Sequence, residues 1–216
     1  MTTNVSDAAI WLDSGLQLSQ IGKYDEAQKC YERAIEIDPS YHTAWFNKGT
    51  LMARRLNDVE GAIKCFNRAI DLFPADADYH INLGLAYGVI GDYENQLGAY
   101  TKALELGSQD NLGTLYFNLA VCLSKLGSKE QSLNYYNKAI EFNKFDYQAY
   151  YNRAIVLIKL RQLKKALSDL DESIKLSPDP SQAIQLKMMV EAIYLPGNSG
   201  KVDEMLSYLD IILMDI

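Results

Sequence analysis

The sequence has no long hydrophobic run, and this absence excludes helices that span a membrane. Of the 216 residues 48% are hydrophobic, but no stretch approaches the ~20 consecutive apolar residues that a spanning helix needs. The first residues, MTTNVSDAAIW, also lack the basic start and the apolar run of a secretory signal. We therefore expect a cytoplasmic protein without a membrane partner.

Clusters of basic residues are missing as well. The formal net charge is −7, and no dense block of Lys and Arg occurs along the chain. Because a nucleic-acid-binding protein needs a basic surface for the phosphate backbone, we do not expect nucleic acid as a partner.

Residues with metal or redox chemistry are few. Cys30, Cys65 and Cys122 lie inside apolar helical patterns and form no CxxC pair, so they are interpreted as buried free thiols. His42 and His80 are the only histidines, and neither has a Cys or His partner at the spacing of metal ligands. We predict no metal and no cofactor.

Catalytic motifs are also absent. The chain has no HExxH, no GxSxG and no phosphate-binding GxxxxGK[ST]. Its carboxylates fall mostly on predicted helix surfaces, where solvated side chains are typical. The prediction is that the protein is not an enzyme.

What the sequence does contain is an internal repeat. A small residue recurs at intervals of 35, 34, 36 and 34, as Ala34, Ala69, Ala103, Ala139 and Ser173. Three residues before it stands a large one, in order Tyr31, Phe66, Tyr100, Tyr136 and Leu170. Further upstream each repeat has a ring, in order Trp11, Trp45, His80, Tyr116 and Tyr150. Four residues after each ring is another small residue, in order Gly15, Gly49, Gly84, Ala120 and Ala154.

These spacings predict two helices in each repeat. Residues three, four or seven apart share one face of an α-helix, so the first repeat is predicted to hold helices over about 8–21 and 24–37. Pro39, Pro74 and Pro178 should end second helices. The small residues would let a neighbouring helix approach, and its ring would fill the space above them. Ser128–Gln131 has the form of a capping box.

The pattern closely resembles the tetratricopeptide repeat, a helix–turn–helix unit of ~34 residues. The first repeat matches its signature at Trp11, Gly15, Leu18, Ala27, Tyr31, Ala34 and Pro39. The resemblance implies an all-α fold, a right-handed α-α superhelix or solenoid. We place a tail at 1–7, five repeats at 8–41, 42–76, 77–112, 113–146 and 147–180, and a divergent capping pair of helices at 181–216. Extra residues occur around 55–58 and 108–112, where we expect loop adjustments.

A second periodic set of residues lies beside the core pattern. Two residues after the ring, repeats two to five carry Asn47, Asn82, Asn118 and Asn152. The flanking residues are Phe46, Thr50, Ile81, Leu85, Phe117, Val121, Tyr151 and Ile155. In tetratricopeptide proteins this strip of the first helix lines a concave groove. The amides could then pair with the backbone of an extended peptide, since an amide both donates and accepts. The alternative is that Phe46, Ile81, Phe117 and Tyr151 simply pack between adjacent first helices.

One subtype of the family is disfavoured. Repeats that hold the C-terminal carboxylate of heat-shock chaperones use Lys and Asn in a first repeat, Asn in a second, and Lys with Arg in a third. The matching places here are Leu12 with Leu16, then Asn47, then Asp78 with Asn82. Because no cation stands at these places, nor one repeat further on, we predict no carboxylate clamp of that type.

The resulting hypothesis is a non-catalytic scaffold that binds a peptide segment or a partner protein in its concave groove. Two alternatives remain: a structural subunit that assembles through its ends, and a regulatory module of an enzyme complex.

The C-terminal helix, predicted over 202–214, is apolar on several sides. Met205, Leu209, Ile212 and Ile216 form one stripe, and Leu206, Leu213 and Tyr208 broaden it. The ends of repeat arrays usually need a polar outer face. We therefore predict a homodimer interface that includes Leu209, Ile212, Leu213 and Ile216. The alternatives are that the helix turns this surface inward over repeat five, or that a further element of a longer chain covers it.

Overall fold

The structure is a computed structural model that describes residues 4–107, 112–195, 198 and 201–213. Twelve α-helices and no β-strand occur among these residues, so the predicted all-α class is confirmed. None of the described helices is long and apolar enough to cross a bilayer. The chain folds as two compact units, an N-terminal unit of residues 1–110 and a C-terminal unit of residues 111–216.

The N-terminal unit is built from consecutive helical hairpins. Its helices are α1 (Asn4–Gln20), α2 (Tyr24–Ile37), α3 (His42–Leu51), α4 (Val59–Leu72), α5 (Ala77–Val89) and α6 (Tyr93–Glu105). Each odd-numbered helix packs against the next one in its hairpin, and α2 and α4 also pack against the following hairpin. This arrangement buries apolar faces that a single hairpin would leave exposed.

The C-terminal unit continues the same alternation. Its helices are α7 (Leu112–Lys125), α8 (Lys129–Phe142), α9 (Tyr147–Lys159), α10 (Leu163–Leu176), α11 (Ser181–Ala192) and α12 (Val202–Ile212). Its largest apolar cluster joins α9 and α10 to α11 and α12. The last two helices therefore belong to the core of this unit.

Rings over small residues hold the hairpins together. Tyr31 lies so close to Gly15 that a Cβ on the glycine would be 2.5 Å from its Cε1 atom. Phe66 approaches Gly49 in the same way. The steric role predicted for these small residues is confirmed in both hairpins.

In repeats two and three the ring also links the first helix to the preceding proline. The Trp45 indole donates from Nε1 to the carbonyl of Pro39 at 3.1 Å. The His80 imidazole lies 3.2 Å from the carbonyl of Pro74 through Nε2, and it must donate because the carbonyl can only accept. His80 is buried, so the prediction of a packed ring is confirmed.

The extra residue of repeat two does not form a longer loop. It is accommodated by a π-helical segment, Met52–Leu56, that continues α3 directly. Asn57 then ends the segment in the left-handed conformation with φ 54°. Asn tolerates this conformation better than most residues. The loop adjustment expected around 108–112 falls on residues 108–111, which lie outside the described part of the chain.

Two local expectations were wrong. The first helix was predicted to begin at about residue 8, but α1 begins at Asn4, and Asp7 in its first turn suits the helix dipole. The Ser128 side chain makes no capping hydrogen bond, whereas Asp92, with nearly the same backbone angles, accepts from the amide of Asn95. The carboxylate reaches one atom further than the hydroxyl.

Candidate peptide-binding surfaces

A groove runs along the C-terminal unit across helices α7, α9, α11 and α12. It consists of two adjoining cavities of about 560 and 650 Å³, which share Tyr151 and Gln182. We call these two cavities together the C-terminal groove. Their combined size is sufficient for several residues of an extended peptide.

Three predicted residues meet in this groove. Phe117 from α7 and both Tyr151 and Asn152 from α9 line the smaller cavity. These three positions from the successive first helices α7 and α9 therefore lie on one surface.

Sequence reasoning missed the other half of the lining. Helix α11 supplies Gln182, Gln185 and Met189, and helix α12 supplies Tyr208 and Ile212. The repeat pattern fades in this pair of helices, so their positions could not be aligned with the earlier repeats. A further amide, Gln148, had a usable signal, because it stands four residues before Asn152 and therefore on the same face of α9.

The groove mixes polar and apolar side chains and is nearly uncharged. Among the described residues that line it, Asp179 is the one charged side chain. Hydrogen bonds from the hydroxyl and the amide of Ser181 lower the pKa of this carboxyl, which therefore stays anionic at neutral pH. Burial raises the pKa of Tyr151, so its hydroxyl remains a neutral donor.

Not every predicted residue of this unit reaches a surface. Ile155 is 3% exposed and lies in the core cluster shared with α11, so its assignment to the binding surface was wrong. The flanking residue Val121 is half-buried and packs against the buried side chains of Ala120, Tyr136 and Val156. Asn118 is half-buried on α7.

In the N-terminal unit the aromatic flanking residue has a packing role. The Phe46 ring stacks on Tyr79 of the next first helix, with centroids 4.6 Å apart, and lies 5.8 Å from the Phe66 ring. The Thr50 hydroxyl donates to the carbonyl of Phe46 at 3.0 Å. For Phe46 these contacts favour the structural interpretation.

The two asparagines of this unit bond to their own helices. Asn47 donates from Nδ2 to the carbonyl of Thr43 at 2.8 Å, and Asn82 donates to the carbonyl of Asp78 at 2.9 Å. Each amide keeps its second N–H for another acceptor. Next to Asn82 on α5, Ile81 is half-buried and Leu85 is 41% exposed.

The predicted dimer interface on α12 needs correction. Leu209 and Leu213 are 2% and 1% exposed and belong to the core of the C-terminal unit, so they cannot form a free surface. Ile212 is partly exposed and lines the C-terminal groove. Ile216 lies outside the described residues.

A different face of α12 remains apolar and open. It borders a third cavity of about 740 Å³, whose lining includes Met189, Met205, Tyr208 and Ile211. The Ile211 side chain is 65% exposed. We call this surface the α12 outer face.

Comparison with known proteins follows the repeat pattern. Three models described as TPR or tetratricopeptide repeats match the chain, at residues 15–55 and 52–91, at 77–109 and 113–146, and at 135–168. A TPR repeat-containing protein of Methanocaldococcus jannaschii is 45% identical over 42 residues, which cover 19% of this chain and 12% of that protein. An uncharacterised protein of the same organism is 34% identical over 48 residues, or 22% of this chain and 56% of that protein. This chain thus aligns with only part of each curated relative.

Solved structures extend the similarity over more of the chain. YrrB superposes with a TM-score of 0.67 and 25% identity, covering 84% of this chain and 91% of YrrB. PilF of Pseudomonas aeruginosa gives a TM-score of 0.70 with 18% identity, covering 98% and 92% of the two chains. MamA gives 0.73 with 18% identity, covering 78% and 91%. Together with the ring-over-glycine packing and the matched repeats, these similarities place the chain in the tetratricopeptide-repeat family.

Proposed function

We propose that this protein is a non-catalytic interaction scaffold that binds an extended peptide segment of a partner protein in its C-terminal groove. The observation that carries the proposal is the convergence of Phe117, Tyr151 and Asn152 with the α11 and α12 side chains on one open groove. The YrrB structure is described as that of a TPR protein with an unusual peptide-binding site, which supports peptide binding by this fold.

The composition of the groove suits a peptide backbone. An extended peptide presents N–H and C=O groups in alternation, and amides such as Asn152, Gln148 and Gln182 can pair with both kinds. Aromatic walls from Phe117 and Tyr151 offer contact to apolar side chains. Specificity would then come from the side-chain pockets, and the amides would supply backbone hydrogen bonds.

Replacing Asn118 and Asn152 together by Ala should weaken peptide binding with little change in stability. Both side chains are half-buried, and neither makes the bond to its own helix that Asn47 and Asn82 make in the described structure. Each lost hydrogen bond is worth ~0.5–1.5 kcal/mol of binding free energy. The measurement is fluorescence anisotropy with peptides selected from a random array on the parent protein.

The matched control is Asn67→Ala, an exposed asparagine on the second helix α4. It should leave the peptide affinity unchanged. Equal affinity of the double variant and the parent, at equal folded fraction, would show that these amides do not bind the peptide.

A second candidate function is self-association through the α12 outer face, favoured by the apolar cavity that this face borders. Ile211→Glu should shift a dimer to a folded monomer in sedimentation equilibrium, because it places a charge on an exposed apolar contact. The control for added charge is Asn67→Glu, at an exposed position on α4 outside this face, and it should leave the association state unchanged. A parent protein that stays monomeric at high concentration would refute self-association.

A further inference from the structure

The π-helical segment Met52–Leu56 brings an arginine onto the predicted binding strip of the N-terminal unit. Arg54 belongs to this segment, and its Nη2 atom lies 3.4 Å from the Oδ1 atom of Asn82 on α5. Asn82 is one of the asparagines assigned to the peptide-binding strip. Segments of π-helix occur frequently at functional sites, since the inserted residue redirects the side chains around it.

Arg54 is an exposed cation with donors to spare. Its bond to Asn82 is near the upper limit of hydrogen-bond length, and a guanidinium carries five N–H donors. Among the described residues, no carboxylate oxygen lies within 4.0 Å of it. The neighbouring Arg55 is engaged elsewhere, with its guanidinium 5.5 Å from the centre of the Tyr24 ring.

Apolar side chains continue the surface from Asn82 along α5. Asn82, Leu85 and Val89 are spaced by three and four residues and therefore share one face of the helix. Leu85 is 41% exposed and Val89 is 72% exposed. We call Arg54, Asn82, Leu85 and Val89 together the Arg54 surface.

We propose that the Arg54 surface binds a peptide segment in which an apolar residue follows an acidic side chain within a few residues. The inference rests on the proposed function and names the chemistry of the ligand for this unit. A carboxylate matches the planar guanidinium in two-point geometry, and the free N–H of Asn82 supplies a further donor. The long contact between Arg54 and Asn82 is easily exchanged for a shorter, charge-assisted one.

The arrangement differs from the carboxylate clamp that the sequence disfavours. The cation stands nine residues after the ring Trp45, at the end of the first helix, and not at the places that such a clamp uses. With a net charge of −7, the chain as a whole repels acidic segments, so any preference for them requires a local cation. The C-terminal groove carries Asp179 and no described cation in its lining, and it should not share this preference.

The experiment uses the full chain and an array of synthetic 12-residue peptides with amidated C-termini. Peptides containing Glu-x-x-Leu or Glu-x-x-Val are paired with versions in which Gln replaces Glu. We expect the Glu peptides to bind about tenfold more tightly than their Gln partners, since hydrogen bonds to charged groups are roughly twice as strong as neutral ones. Arg54→Gln should abolish the difference, and Arg54→Lys should retain part of it, because lysine keeps the charge but not the planar geometry.

Arg55→Gln is the matched control and should leave the preference intact, because Arg55 packs on Tyr24. Equal binding of Glu and Gln peptides, or a preference that survives Arg54→Gln, overturns the inference while leaving the proposed function in place. Binding that requires a free C-terminal carboxylate also overturns it. If none of these peptides binds while peptides from the random array do, the inference fails and the proposed function stands; if neither set binds, both fail.

Discussion

Replacing Arg153 by Leu is expected to lower the free energy of unfolding by ~3–5 kcal/mol, because it leaves a buried carboxylate without its cation. Arg153 on α9 donates from Nε and Nη2 to the two carboxylate oxygens of Asp169 on α10, both at 2.7 Å. The two side chains are 19% and 9% exposed. A third bond joins the guanidinium to Oδ1 of Asn137 on α8, at 2.8 Å.

The chain itself offers the control for this ion pair. In repeat three, the positions equivalent to Arg153 and Asp169 hold Leu83 and Ala99, and both of these residues are buried. The double variant Arg153→Leu, Asp169→Ala copies that apolar pair and should recover most of the lost stability, since no unpaired charge remains. Chemical denaturation of parent, single and double variants gives the three free energies.

One further measurement compares this buried ion pair with an exposed one. The exposed pair Arg33–Glu36, disrupted by Arg33→Ala, should cost at most ~1 kcal/mol. A single variant as stable as the parent would show that Asp169 finds another partner or becomes hydrated.

The hairpins could be predicted from the sequence because their packing is a local steric rule. A ring needs a small residue beneath it, and both lie at fixed spacing within one repeat, as Tyr31 and Gly15 do. Proline positions set the helix ends in the same local way: α2 ends at Ile37, just before Pro39. Such rules need no knowledge of the rest of the chain.

The π-helical segment could not be predicted in this way. An extra residue can lengthen a turn or be absorbed into the helix, and the choice depends on contacts from another helix. Here Met52 packs against Cys65, with their sulfur atoms 3.9 Å apart, and lies beside Gly61. Arg54 reaches Asn82 only as a consequence of that choice.

The lining of the C-terminal groove was predicted in part for a related reason. Phe117, Tyr151 and Asn152 line the groove, since each occupies the repeating strip. Ile155 occupies the same strip but is covered by Leu186 and other residues of the last two helices. A repeat pattern predicts the same exposure for equivalent positions in every repeat. The last two helices, however, pack on repeat five and bury a position that can stay exposed in the other repeats. Helix α12 has apolar residues on several sides, so its sequence alone does not identify the buried side. Packing against α11 determines which of these residues are buried.

Gly84→Leu is expected to destabilise the N-terminal unit by ~3 kcal/mol or more, at the upper end of the range for overpacking. A Cβ at this position would lie 2.6 Å from Cε1 and 2.7 Å from Cδ1 of Tyr100. The Tyr100 ring is fully buried and cannot move aside into solvent. The added side chain must therefore separate α5 from α6, and this separation exposes the apolar faces that hold the hairpin together.

The matched control for this substitution is Gly98→Ala in α6. No heavy atom lies within 4 Å of a Cβ built at Gly98, which is exposed, so this variant should gain ~0.5–1 kcal/mol from the better helix propensity of alanine. Shortening the ring in the double variant Gly84→Leu, Tyr100→Ala should restore part of the loss, because the new leucine can occupy the vacated volume. Thermal melting that is unchanged by Gly84→Leu would mean that α5 and α6 are not held together by the contact between Gly84 and Tyr100, and the steric rule behind the repeat would fail at its third copy.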